Sequence, residues 1–212
     1  MNTTVFDIET GPLPDIILDA LMPEFEAGAN LKDPDKVAAD IAKKKLKFKE
    51  DAALSPLTGR VLAVGFLPDF GEPPLILCDD DEAVLLASVW NHFRTAGGSR
   101  RPSFVGFNIA GFDLPFLVKR SWILNVPVPP NVRQGRYWAD WFIDLRETWQ
   151  LGDRQSSGSL DAICRAMGLG EKNGSGAEFA KLWSEDRAKA LAYLVNDLEM
   201  TSKLAARLLA LK

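Results

Sequence analysis

The chain has 212 residues, of which 47% are hydrophobic and 25% are charged, and its formal net charge is −4. This length and apolar content are enough for one well-buried core. The acidic balance argues against a tight, sequence-independent duplex binder, because many phosphate contacts require a basic surface. It is compatible with an acidic cleft in which metal ions supply the positive charge that faces a few nucleotides.

The counts of cysteine and histidine exclude the common zinc sites. The two cysteines, Cys78 and Cys164, form no CxxC pair, so a cysteine zinc cage is excluded and a disulfide framework is not expected. The single histidine, His92, rules out HExxH and three-histidine zinc chemistry. An apolar strand begins close to the N-terminus and no run of about 18 apolar residues occurs, so we expect no signal peptide, no membrane span and a cytoplasmic protein.

Hydrophobic patterning predicts five strands in chain order. They are expected at residues 3–8, 60–67, 74–78, 103–107 and 141–145. The segment 20–58, between the first two strands, is predicted to be an insertion of two short helices. It ends in a basic run at 43–49, for which two interpretations stay open: a solvated helix end, where cations complement the helix dipole, or an arm that binds nucleic acid.

Helices are predicted between and after these strands, at 81–96, 112–124, 160–167 and 186–211. Acidic residues at 79–82 suit the start of the first, Gly97 and Gly98 its end, and Ser159 could cap the third. A glycine-rich loop is expected at 168–176. Strands separated by helices predict a mixed α/β sheet with helices on both faces.

Four carboxylates lie in apolar stretches of this pattern: Asp7 and Glu9 in the first strand, Asp113 in the second half of 105–115, and Asp197 in the last helix. An acid in such surroundings is costly unless it is paired or binds a metal. If the fold brings the four together, hard divalent cations are the natural partners, because Mg²⁺ and Mn²⁺ prefer oxygen ligands.

The spacing of these acids places them on defined faces. Asp7 and Glu9 are two apart on a strand and share one face, while the neighbouring apolar side chains enter the core. Asp113 follows a turn from a strand into a helix, where α/β folds place functional groups. Tyr193 and Asp197 are four apart on a helix and also share a face. Each signal is weak singly, but the conjunction in this order is much stronger.

Three of these segments resemble the motifs of a known superfamily. The segment V-F-D-I-E-T at 5–10 resembles the first motif of the DEDD superfamily of 3′–5′ exonucleases, and G-F-N-x-x-x-F-D-x-P at 106–115 resembles the second. Y-x-x-x-D at 193–197 resembles the third motif in its tyrosine subtype, DEDDy. The chain is most similar to stand-alone exonucleases related to the proofreading domain of family B DNA polymerases, over nearly its whole length except 20–54.

The resemblance implies a fold and a set of metal ligands. The fold would be ribonuclease H-like: a mixed five-stranded sheet flanked by helices in a single 1–212 domain, with a helical insertion after the first strand. Asp7 would bridge two divalent ions, Mg²⁺ or Mn²⁺. Glu9 and Asp197 would complete the shell of the first ion, and Asp113 would hold the second, partly through water. Tyr193, whose phenol is neutral at pH 7, would orient the attacking water.

Four further residues are candidates for substrate binding: Thr10, Asn108, Phe112 and Lys172. For three of them a plainer alternative stays open. Asn108 could fix its turn, Phe112 could pack in the core, and Lys172 could be a solvated loop residue. Asp144, in the fifth predicted strand, is expected to cap or pair locally rather than to bind metal.

The resemblance implies an exonuclease that removes nucleoside 5′-monophosphates from the 3′ end of single-stranded DNA, with a polymerase or repair complex as a partner in proofreading or DNA repair. One alternative is an exoribonuclease of the same subtype, because sugar choice depends on contacts to the 2′-OH that the sequence does not locate. The other is a non-catalytic nucleic-acid-binding or polymerase accessory module. Such a module should have lost ligands, whereas all four carboxylates and Tyr193 are present.

Overall fold

A mixed five-stranded sheet organises the larger of the two units into which the chain divides. This unit contains Met1–Glu9 and Val61–Lys212, and the second contains Thr10–Arg60. The computed structural model describes residues 3–68, 72–96, 102–153, 155, 158–172, 174 and 176–210. The predicted glycine stop at 97–98, residues 173 and 175 of the predicted loop and the predicted helix end at 211 lie outside this range.

The sheet confirms all five predicted strands. The bounds of the strands are β1 Thr3–Pro12, β2 Gly59–Leu67, β3 Leu75–Leu77, β4 Ser103–Gly106, β5 Arg133–Gln134, β6 Tyr137–Trp138 and β7 Phe142–Asp144. The order in the sheet is β3-β2-β1-β4-β7; β4 is parallel to both β1 and β7, and β2 and β3 are antiparallel. The short strands β5 and β6 form a separate hairpin that was not predicted.

The bounds of the helices are α1 Asp15–Leu21, α2 Pro34–Glu50, α3 Glu82–Thr95, α4 Asp113–Ile123, α5 Leu145–Gln150, α6 Leu160–Ala166, α7 Gly176–Glu185 and α8 Arg187–Leu209, with short 3₁₀ helices at Ala52–Leu54 and Pro130–Val132. They confirm the four helices predicted in the larger unit, to which the structure adds α5 and α7.

Side-chain caps fix the starts of three helices where the sequence predicts them. The Asp81 carboxylate accepts a hydrogen bond from the amide of Ala83 at 2.8 Å and caps α3. Ser159 caps α6, and Asp186 caps α8. Each cap satisfies a backbone donor that the first turn of a helix leaves free, which fixes where the helix begins.

The helix α7 was missed because glycines at its start favour a loop. Phe179, Leu182 and Trp183 nevertheless follow a helical spacing of three to four residues, and Phe179 is fully buried. Its ring packs on those of Trp183 and Tyr193, at centroid distances of 5.6 and 6.1 Å. The helix therefore supports the face of α8 that carries Tyr193.

Two hydrophobic clusters cover opposite faces of the sheet, and β1 contributes to both. Phe6 and Ile8 pack in the cluster that contains the apolar residues of α3 and α4. Val5 packs in the cluster that contains those of α6, α7 and α8. Because side chains alternate along a strand, Asp7 and Glu9 leave β1 on the side of Val5, toward α8.

A glycine on β2 allows α8 to approach the sheet closely. A Cβ atom at Gly65 would lie 2.6 Å from Cδ1 of Leu198, well inside a van der Waals contact. Leu198 is fully buried and directly follows Asp197. A larger residue at position 65 would push this part of α8 outward, so Gly65 helps to set the depth at which Asp197 lies.

The second unit consists of α1, α2 and a 3₁₀ turn. The insertion was predicted over 20–58 with two short helices; the unit covers Thr10–Arg60, and α2 has 17 residues. Lys44, Lys47 and Lys49 form ion pairs with carboxylates of the same unit, at 2.8–3.0 Å. Lys47 and Lys49 also occupy the last turn of α2, which supports the interpretation as a solvated helix end; the nucleic-acid arm stays a prediction.

No helix in the described part of the chain combines the length and the apolar character that a membrane span requires.

Candidate active site

Three carboxylates from two elements meet on the α8 side of the sheet. Asp7 and Glu9 leave β1, and Asp197 leaves α8; one ligand oxygen of each lies within 4.8 Å of the other two. Glu9 and Asp197 are buried, and Asp7 is partly buried. Carboxylates so close repel one another in a low dielectric unless protons or a cation compensate their charge.

Asp113 lies beside this group at the start of α4. Its Oδ1 accepts a hydrogen bond from the backbone amide of Ile8, between the two acidic residues of β1, at 3.2 Å. Its side chain is buried, and the charge of Asp7 acts on it. The structure therefore brings all four predicted carboxylates together, three of them in one cluster and Asp113 next to Asp7.

Burial and mutual repulsion raise the pKa values of these acids. Burial, followed by the charge of Asp197, raises the pKa of Asp7 from 3.8 to about 7. Burial and the charge of Asp7 raise the pKa values of Glu9 and Asp113 well above their usual range. Such shifts are typical of sites that bind cations or transfer protons, because the charged forms are stabilised only when the partner is present.

One basic side chain enters this acidic group. The ammonium of Lys172 lies 2.5 Å from Oδ2 of Asp197 and donates to the hydroxyl of Tyr193 at 3.2 Å. Burial lowers the pKa of Lys172, but the charge of Asp197 and the hydrogen bond to it outweigh that effect and raise the pKa above its usual value. Lys172 thus stays charged near neutral pH, and its ion pair holds the loop before α7 against α8.

Tyr193 lies one helical turn before Asp197 and shares its face of α8. Burial, followed by the charge of Asp197, raises the pKa of the phenol above its usual value. The hydroxyl is therefore protonated near pH 7. Because it already accepts the hydrogen bond from Lys172, its own proton can be donated to another acceptor in the site.

The carboxylate cluster fits a divalent cation. Oδ1 of Asp197 is buried and has no hydrogen-bond partner among the residues that the structure describes. A buried anionic oxygen without a partner is costly, and a cation held by Asp7, Glu9 and Asp197 would satisfy it. All donors are carboxylate oxygens, the ligands that Mg²⁺ and Mn²⁺ prefer.

A tightly held turn leads from β4 to Asp113. Asn108 has a left-handed backbone (φ 64°), which asparagine tolerates better than most residues. The buried carboxylate of Asp144 accepts hydrogen bonds from the amides of Asn108, Ala110 and Arg146, at 2.9, 2.9 and 2.8 Å. Asp144 therefore caps α5 and fixes this turn. This agrees with the expectation that Asp144 caps or pairs locally.

Asp144→Ala should lower the melting temperature by roughly 5–15 °C, since three backbone donors would lose a charged acceptor worth about 2–4 kcal/mol together. Calorimetry or thermal denaturation measures this. Asp153→Ala is the matched control, because that exposed carboxylate accepts a local hydrogen bond from the amide of Gln155 and no other from the residues that the structure describes. A fall in Tm no larger than that of the control would mean that Asp144 does not hold the turn.

The other predicted substrate contacts have varied surroundings. The ring of Phe112 packs against that of Phe116 at 5.4 Å, which supports its packing alternative. Thr10 belongs to the second unit, where its hydroxyl donates to the carbonyl of Ala53 at 2.8 Å. Asn108 accepts a hydrogen bond from Arg146 at 3.1 Å, which supports its role in the turn and orients its amide. Sequence reasoning missed Arg146, whose relevance appears only once α5 is placed.

Comparison with protein-family models identifies the class of protein. Residues 75–201 match the model of a family described as "Predicted 3'-5' exonuclease related to the exonuclease domain of PolB". The chain belongs to this family. The matched range includes Asp113, Tyr193 and Asp197, and a search of the curated proteins found no match.

Comparison with solved structures supports the ribonuclease H-like fold. The chain is similar to a family B DNA polymerase from the hyperthermophilic archaeon Pyrobaculum calidifontis, with a TM-score of 0.66 and 17% sequence identity. The similarity covers 99% of this chain and 24% of the polymerase chain, so the chain spans about a quarter of that protein's length. The fold is the ribonuclease H-like fold that the motifs implied.

Proposed function

We propose that this chain is a two-metal-ion 3′–5′ exonuclease, with its 20–58 segment as an insertion in one catalytic domain. It removes nucleoside 5′-monophosphates from the 3′ end of single-stranded DNA. The observation that carries the proposal is the meeting of Asp7, Glu9 and Asp197 within 4.8 Å of one another, with Asp113 beside Asp7. This is a carboxylate site in a chain of a 3′–5′ exonuclease family.

In this proposal Asp7, Glu9 and Asp197 would hold one divalent ion, and Asp7 and Asp113 would hold a second. When bound, the ions would supply activation of the attacking water and stabilisation of the departing 3′ oxygen. Tyr193 donates a hydrogen bond from its neutral hydroxyl and orients the water. Lys172 contributes a positive charge near the phosphate, since its ammonium lies between Asp197 and Tyr193.

The presence of all four carboxylates and of Tyr193 favours an enzyme over a non-catalytic binding module. Buried carboxylates with raised pKa values destabilise a fold at neutral pH, and a module without chemistry has no use for them. The DNA substrate and any polymerase or repair complex as partner belong to the proposal as well.

The test is degradation of a single strand labelled at its 5′ end, as DNA and as RNA of one sequence, with Mn²⁺ and with EDTA. We expect a ladder that shortens from the 3′ end of the DNA, release of nucleoside 5′-monophosphates, and no reaction in EDTA. Asp113→Ala serves as the inactive control. Faster degradation of RNA would favour the exoribonuclease, and binding of both strands without cleavage would favour the accessory module.

A further inference from the structure

A polar cleft of about 510 Å³ opens on the larger unit. The Asn108–Gly111 turn lines it together with Leu114, which directly follows Asp113. Residues of the β5–β6 hairpin and of α5 line it as well. Asp144, which lines the cleft and acts electrostatically on Asp113, connects it to the proposed metal site.

The wall of the cleft presents an aromatic ring to solvent. Tyr137 is 62% exposed, although its neighbour Trp138 is anchored by a hydrogen bond to the carbonyl of Ala110 at 3.2 Å. The guanidinium of Arg136 lies 4.8 Å from the centre of the Tyr137 ring and donates to its hydroxyl. One face of the ring is therefore covered by a cation, and the exposed part is available for stacking.

Polar groups converge on the same space from the turn and from α5. Oδ1 of Asn108 accepts from Arg146, so the amide hydrogens of Asn108 point away from that bond and can be donated to a ligand. Arg136 and Arg146 supply two guanidinium groups suited to phosphate oxygens. Glu147 and Asp140, which also line the cleft, supply acceptors suited to the exocyclic amino group of a base.

We propose that this cleft is a nucleotide subsite for the single strand: one base stacks on Tyr137 and the adjoining phosphate lies between Arg136 and Arg146. The combination of an exposed aromatic ring, two guanidinium groups and amide donors is the recognition chemistry of single-stranded nucleic acid. The inference rests on the proposed exonuclease function. It adds three residues that none of the three motifs contains, namely Arg136, Tyr137 and Arg146.

The experiment compares Tyr137→Ala and Arg136→Gln with two control variants of the same chemical type outside the cleft. Trp122→Ala removes an aromatic side chain that is 67% exposed on α4, and Arg207→Gln removes an exposed guanidinium in the last turn of α8. For each variant we would measure the Kd of a labelled single-stranded DNA in EDTA, and kcat and KM for its degradation in Mn²⁺.

Loss of one stacked base should weaken binding and raise KM by about 5- to 150-fold in Tyr137→Ala. The kcat should stay within a few-fold, because the carboxylates and Tyr193 are intact, and both controls should match the wild type. A KM of Tyr137→Ala equal to that of Trp122→Ala would overturn the subsite. Failure of the wild type to degrade any strand would instead overturn the exonuclease function on which the subsite depends, so the two failures are distinguishable.

Discussion

Asp7→Asn should fold, lose roughly 10³-fold or more in kcat, and lose most of the stabilisation that Mn²⁺ gives the wild type. Asp7 contributes to the three-carboxylate cluster, and its charge also acts on Asp113. Asparagine keeps the shape of the side chain but removes the charge that both proposed ions would share. Turnover is measured on the labelled single strand, and stability by thermal unfolding with Mn²⁺ and with EDTA.

The metal-dependent part of this prediction follows from linkage. A ligand that binds only the folded state stabilises it by about 2.7 kcal/mol when its concentration is 100 times its Kd. Glu199→Gln is the matched control, because it removes one exposed carboxylate from α8, two residues beyond Asp197. Near wild-type turnover of Asp7→Asn, or an undiminished shift of Tm with Mn²⁺, would remove the assignment of the metal site.

In EDTA, the order of stability of Asp7→Asn and the wild type should be the reverse of their order in Mn²⁺. The pKa of Asp7 is raised from 3.8 to about 7 in the folded protein, so the folded state binds more protons than the unfolded state between these values. The stability of the wild type should therefore fall as pH rises from about 4 through 7. Asn cannot ionise, so Asp7→Asn should lack this loss and be at least as stable as the wild type at pH 8.

The sequence predicts those features of this site that depend on residues close together in the chain. Strand alternation predicts that Asp7 and Glu9 share a face while Phe6 and Ile8 enter the core, and the two hydrophobic clusters confirm it. The acidic run at 79–82 predicts the start of α3 and Ser159 predicts that of α6 for the same reason: these signals depend on neighbours within a few residues. Asp144 is another such case, since it caps α5 two residues away.

The sequence predicts only some of the contacts between segments that are distant in the chain. The meeting of β1 with α8 was expected from the resemblance of three motifs, but its depth depends on Gly65, which accommodates Leu198. The ion pair of Lys172 with Asp197 joins a glycine-rich loop to a helix 25 residues later, and no local pattern specifies it. The hairpin that carries Tyr137 has two-residue strands, too short for a periodic signal.

The carboxylates and the side chains proposed to bind the substrate lie on different kinds of structural element. The carboxylates are arranged by the sheet and by α8, whereas the side chains suited to the substrate lie on loops and short elements: Lys172 before α7, Asn108 in the turn, and Tyr137 on the hairpin. The polar ends of two of these side chains are oriented by hydrogen bonds and an ion pair: Asn108 by Arg146, and Lys172 by Tyr193 and Asp197. We therefore expect substitutions in them to change KM more than stability, and substitutions of the carboxylates to change kcat.

Tyr193→Phe should lower kcat by roughly 10- to 10³-fold, less than Asp7→Asn, and should leave the affinity for Mn²⁺ almost unchanged. Phenylalanine keeps the ring that packs on Phe179 at 6.1 Å but removes the hydroxyl. The burial of Tyr193 and the charge of Asp197 raise the pKa of that hydroxyl, so it can orient water as a donor but does not act as a base near pH 7.

The dependence of rate on pH separates this orienting role from proton transfer. If the carboxylates set the acidic limb, that limb should be the same in the wild type and in Tyr193→Phe, with only the plateau lowered. The titration of Mn²⁺ by thermal shift supplies the second readout. A loss as complete as that of Asp7→Asn would make the phenol part of the essential proton path. Full activity would make Tyr193 a packing residue of α8, and the assignment of the third motif to the tyrosine subtype would then be withdrawn.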